Sequence, residues 1–163
     1  MKGELKNQRG ASMVEFAIVL PLLLLLVFGI IEFGLLLYNK AMITNASREG
    51  ARSGIVSRWN NTTNPATYIP LDAGGIEGVV NAYLSNHLIT FTPGGATPSF
   101  NPPPTPCDRN NPHSLPRPEL RVTVNYPYTF LVFSNIVNLF PKGGGTPFPG
   151  AITLTAETVM RCE

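Results

Sequence analysis

The sequence predicts an α+β protein: a long N-terminal transmembrane helix that continues into a small outer domain, where a helix packs on a short antiparallel sheet. Three observations carry that expectation. From Phe16 to Ile31 there is no charged residue, and apolar residues resume from Phe33 to Tyr38 with only Glu32 between. Ile76, Val79, Val80, Tyr83, Leu84 and His87 recur at helical spacing. Leu120, Val122, Val124 and Tyr126 alternate with Arg121, Thr123 and Asn125, and Ile152, Leu154 and Ala156 alternate in the same way near the C-terminus.

The chain opens on a polar segment, residues 1–10, which carries Lys2, Lys6 and Arg9 and ends at Gly10. The apolar run follows. At about 1.5 Å per helical residue, Phe16 to Tyr38 is long enough to cross a hydrocarbon core roughly 30 Å thick. Pro21 lacks an N–H, so the Ala17 carbonyl loses its helical partner, and a kink or a loosened turn is expected there. Glu15 stands at the lip of the run. Glu32 lies about 26 Å further along the helix, inside the interface marked by Tyr38. A carboxylate at that level costs on the order of 3 kcal/mol unless it is protonated, snorkelled to interface water or paired with an intramembrane contact.

No Gly-Pro or Asn-Gly stop intervenes before Asn60, so the helix is expected to extend beyond the membrane, over residues 11–58 in all. Ile43, Ser47, Gly50 and Gly54 form a narrow stripe of mostly small residues that would let another backbone approach closely. Arg48 and Arg52 stand one turn apart with Glu49 beside them, either solvated or holding a specific partner.

Residues 59–163 make the outer domain. Arg58 to Ala73 reads as linker, with Trp59, Tyr68 and Ile69 as its large apolar anchors, and Asp72 is a start signal for the second helix. His87 on that helix reads as a core-edge residue, with no second metal-type residue beside it. Ile89 to Thr92 is a candidate short strand cut off by Pro93. Thr92 to Pro118 is rich in Pro, Asn and Gly and reads as a long surface loop. After the alternating strand, Tyr128 to Phe140 is strongly apolar: either a short helix covering the sheet or an exposed patch for a partner. Residues 141–150 form a turn region, and Ile152 to Arg161 closes the chain as the second strand.

Cys107 and Cys162 are the chain's two cysteines. In an oxidising compartment they would form one disulfide, worth roughly 4 kcal/mol for a loop of several dozen residues, and in a reducing one two free thiols.

The residues around the apolar run point to a family. A basic leader ending in Gly10, followed by Ala11-Ser12-Met13-Val14-Glu15-Phe16, resembles the start of type IV prepilins, with Glu at the fifth and an aromatic at the sixth mature position. Gly10-Ala11, Val14-Glu15-Phe16, Pro21, Ile31-Glu32-Phe33-Gly34 and Arg48-Glu49-Gly50-Ala51-Arg52 together resemble the TadE-like family of minor pilins or pseudopilins of tight-adherence (Flp, type IVb) pilus systems. The resemblance covers about the first third of the chain. It implies a prepilin-type leader over residues 1–10, cleavage between Gly10 and Ala11 by a prepilin peptidase, and assembly through Glu15 and Phe16 with other pilin subunits on a pilus assembly platform. It also implies a single pass through the bacterial inner membrane, with the N-terminus cytoplasmic and the C-terminal domain extracytoplasmic. Charge alone leaves the orientation open, because Lys40, Arg48 and Arg52 balance Lys2, Lys6 and Arg9.

Two rival readings of the run remain. A cleavable secretory signal would be shorter and close on a small-x-small site. A permanent signal-anchor carrying an extracytoplasmic binding or adhesion domain fits the length but gives no reason for Glu15 and Glu32. A net charge of +2 and the lack of a basic block interleaved with aromatics argue against nucleic-acid binding. His87 and His113 have no Cys or carboxylate at ligand spacing, no Gly-x-Ser-x-Gly is present, and Gly143 to Gly145 lacks the Lys-Thr of a phosphate loop. No enzymatic activity and no cofactor are expected. The Asn-x-Ser/Thr triplets at Asn45 and Asn61 carry no weight without a glycosylating host.

Overall fold

The computed structural model describes residues 4–56, 58–60, 67–69, 71–91, 97–107, 119–139 and 150–162. The elements are α1 (Glu4–Ile55), β1 (Arg58–Asn60), β2 (Thr67–Ile69), α2 (Ala73–His87), β3 (Glu119–Thr129), α3 (Phe133–Leu139) and β4 (Ala151–Arg161). The chain divides into two compact units: Met1–Leu35 with Phe130–Gly150, and Leu36–Thr129 with Ala151–Glu163. The architecture is α+β, with a long apolar N-terminal helix, a second helix and an antiparallel strand pair.

The character of α1 changes along its length. Most large apolar side chains from Met13 to Leu37 are exposed, among them Phe16, Leu22, Ile30 and Phe33, while Gly29 and Glu32 are buried. From Asn39 onward burial falls on one face only, at Asn39, Ile43, Ala46, Ser47, Gly50, Ala51 and Gly54. Those steps of three and four residues are those of an amphipathic helix seated on a core. The helix runs unbroken through Pro21 and ends at Ile55, before the expected stop.

In the second unit this face meets α2 and the β3–β4 pair. Asp72 starts α2, its carboxylate accepting the Gly75 N–H at 2.9 Å, an N-cap worth about 1 kcal/mol. Ile76, Val80 and Leu84 are the buried side of α2. A Cβ built on Gly50 would stand 2.5 Å from Val80 Cγ2, and one on Gly54 2.5 Å from Leu120 Cδ2, so the small-residue stripe is where helix, helix and strand converge.

Strands β3 and β4 pair antiparallel along their full lengths, from Glu119↔Arg161 to Thr129↔Ala151. The inward residues are Leu120, Val122, Val124, Tyr126 and Tyr128 on β3, with Leu154 and Ala156 on β4. On the opposite face the exposed pair Arg121–Glu157 is ion-paired, and Thr123 is buried although the alternation predicts it wet. The Thr123 hydroxyl has no hydrogen-bond partner among the described residues. Ser99 and Asn125 exchange backbone hydrogen bonds of 2.8 Å, which lays one residue of the Pro-rich segment along the free edge of β3. Cys107 is bonded to Cys162 just past β4, with a Cα–Cα distance of 5.7 Å.

Three local expectations differ from the structure. Within the stretch read as linker, β1 and β2 form a small antiparallel pair, Trp59 opposite Tyr68; three-residue strands are too short to show a period. Residues 88–91 form no strand, because the Ile89 N–H and carbonyl are both taken by the buried Asn39 side-chain amide, at 3.1 and 2.7 Å. The exposed His87 ring stacks on Tyr83, centroids 4.4 Å apart, rather than edging the core. Thr92, Pro93 and His113 lie outside the described residues.

Candidate functional site

Two regions of α1 carry the sequence-predicted residues. The first is the helical stretch around Gly10. The helix already includes the Gly10–Ala11 bond, and Gly10, Ala11, Glu15 and Phe16 are all exposed. Phe16 shows 63% of its surface. Gly is a weak helix former, costing up to about 1 kcal/mol relative to Ala, so Gly10 lowers the local stability of the helix at this bond. Ala11 and Glu15 are separated by four residues, hence one above the other on one helix face.

The second is Glu32, whose surroundings no sequence pattern indicates. Glu32 is 4% exposed. Its carboxylate accepts the backbone N–H groups of Leu131, Val132 and Phe133, the last two at 3.3 and 2.8 Å. Those are donors that the start of α3 leaves without helical partners. The anion therefore satisfies the entry to α3, at a point where the donors' dipoles favour negative charge. Beside it, the rings of Phe33 and Phe133 meet edge-on at 6.2 Å, and Phe130 approaches Phe133 at 6.0 Å. The signal for this partnership was an acid inside an apolar run; its partners lie about a hundred residues away and are backbone groups, which no motif encodes.

Further along, Arg48, Glu49 and Arg52 are exposed on the face of α1 opposite the core. Lys40 donates to the Thr155 carbonyl, and the Ser47 and Thr158 hydroxyls are 2.7 Å apart. Among the described residues no group of three or more His, Cys, Asp or Glu side chains could hold a metal ion.

These features define a class: a protein whose long apolar helix is the one element, among the described residues, long and apolar enough to cross a membrane, carrying a small α+β unit. Residues 10–52, about a quarter of the chain, match the family described as TadE-like protein, a family associated with Tad pilus biogenesis and generally non-enzymatic. The match takes in Gly10, Glu15, Pro21, Glu32 and both arginines, and stops short of α2 and the strands. No curated protein and no solved structure shows a significant match to the chain.

Proposed function

We propose that this chain is a minor pilin or pseudopilin of a tight-adherence, type IVb pilus, assembled through its N-terminal helix to prime the pilus or to form part of it or of its assembly base. The supporting observation is a coincidence: the family match begins at Gly10, and the helix that follows leaves most of its large apolar side chains exposed up to Leu37. A surface of that kind belongs in lipid or in a bundle of like helices.

On this reading a prepilin peptidase removes residues 1–10, and residues 11–58 form the membrane and assembly helix, with residues 59–163 as the domain on its extracytoplasmic side and the N-terminus in the cytoplasm. Cleavage leaves the α-amine of Ala11 one helical turn from Glu15. In the membrane both groups reach interface water. Drawn into a filament they enter an apolar bundle, where an unpaired charge costs several kcal/mol. Pairing the Glu15 carboxylate with a neighbouring subunit's amine offsets that cost and sets axial register. Phe16, next to it, packs against the same neighbour.

The test is Glu15→Ala in cells that assemble the pilus. The expected outcome is normal insertion and cleavage with loss of incorporation into purified pili, and partial incorporation for Glu15→Asp. Wild-type incorporation of Glu15→Ala would contradict the mechanism.

A further inference from the structure

We infer that residues 130–139, between β3 and β4, form a shallow re-entrant segment that seats in the lipid bilayer beside α1, with Glu32 as the group that lets its backbone enter. The inference rests on reading α1 as a membrane span.

The stretch Phe130 to Phe140, reading FLVFSNIVNLF, contains no charged residue. It belongs to the same compact unit as residues 1–35, the apolar half of α1. Phe133 meets Phe33, and one turn further on Ile136 shares an apolar groove of about 460 Å3 with Ile18, Leu22, Leu25 and Phe28. Phe28 and Leu25 lie four and seven residues before Glu32, which at the helical rise is about 6 and 10 Å deeper along the span. Helices seated at a membrane interface bury their apolar face by about that much. In α3 the exposed Asn135 and Asn138, one turn apart, give the polar side such a seat requires.

Backbone chemistry gives the independent argument. A chain that turns at membrane depth must satisfy its N–H and carbonyl groups without water, each unmet group costing several kcal/mol. Here the Leu131, Val132 and Phe133 N–H groups go to the Glu32 carboxylate, the Phe130 N–H to the Gly150 carbonyl, and the Ile136 N–H to the Val132 carbonyl. The Leu131 side chain is meanwhile left outward, 48% exposed. A water-facing loop has no need of a buried carboxylate to satisfy three amides that solvent would meet. Lipid acyl chains are the occupant that fits a groove lined by α1 residues of the span itself.

The test uses the full chain in phospholipid vesicles with brominated acyl chains, which quench tryptophan on contact. Trp59, the chain's one tryptophan, is replaced by Phe, and single tryptophans are introduced by Leu24→Trp in the span, Ile136→Trp in α3 and Val159→Trp on the exposed side of β4. The expected result is loss of emission at Leu24→Trp and Ile136→Trp, and retention at Val159→Trp. Quenching at Leu24→Trp with full emission at Ile136→Trp would overturn the proposal while leaving the span intact. Full emission at both would overturn the span and the proposal with it. Emission at Ile136→Trp that recovers as chain density rises, together with a cross-linked dimer, would assign the face to a second copy instead. Should Ile136→Trp fail to fold, Leu131→Trp, at a side chain already half exposed, repeats the measurement.

Discussion

Glu32 shows how one residue changes meaning between sequence and structure. Read along the chain, it is an acid in an apolar run that costs on the order of 3 kcal/mol unless something meets it. In the fold it is nine-tenths buried and meets three backbone amides at the start of α3. Replacing it by Gln keeps the size but turns an NH2 group toward donors and removes the charge. Glu32→Gln is therefore expected to cost about 1–3 kcal/mol locally. Hydrogen exchange read by mass spectrometry checks this: the Leu131 to Phe133 amides should lose protection while those of β3 and β4 keep theirs. Unchanged protection at Leu131 to Phe133 would mean that the carboxylate is not their partner. Asn39 is the companion case, its amide pairing with both backbone groups of Ile89 fifty residues away.

At the scale of elements, what the sequence made legible was whatever repeats. The apolar run of α1, the face of α2 with its Asp72 cap, and the alternation in β3 and β4 follow from periods of 3.6 and 2. The stripe Ile43, Ser47, Gly50 and Gly54 was legible as a packing face because small residues at helical spacing admit a second backbone, and Val80, Ile76 and Leu120 fill that space. The strand pair β1–β2, the Glu32 and Asn39 contacts and the burial of Thr123 were not legible. They depend on three-residue strands or on single backbone groups far away in sequence, and neither leaves a periodic trace. Two substitutions test the packing. Gly50→Val places atoms against Val80, whose branched side chain has little freedom to retreat, so the second unit should lose about 1–3 kcal/mol, seen as a lower urea midpoint. Cys107→Ser opens a link that spans 55 residues and should cost roughly 4 kcal/mol in the same assay without altering membrane insertion. Equal midpoints for oxidised and reduced protein would count against the bridge.

For the molecule as a whole, one helix serves two environments. From Met13 to Leu37 most of its large apolar side chains are exposed, and its last turns bury one face that α2 and the strand pair cover. The similarity to TadE-like proteins covers residues 10–52, the stretch that contains both regimes of the helix. On the pilin reading the mature helix begins at Ala11, since only a free α-amine there makes Glu15 an assembly residue. N-terminal sequencing with intact mass measurement of the chain recovered from host membranes decides where it begins. A chain that starts at Ala11 is the expected result; a chain that keeps Met1 in cells with an active prepilin peptidase would rule out Glu15 as an assembly residue of this kind.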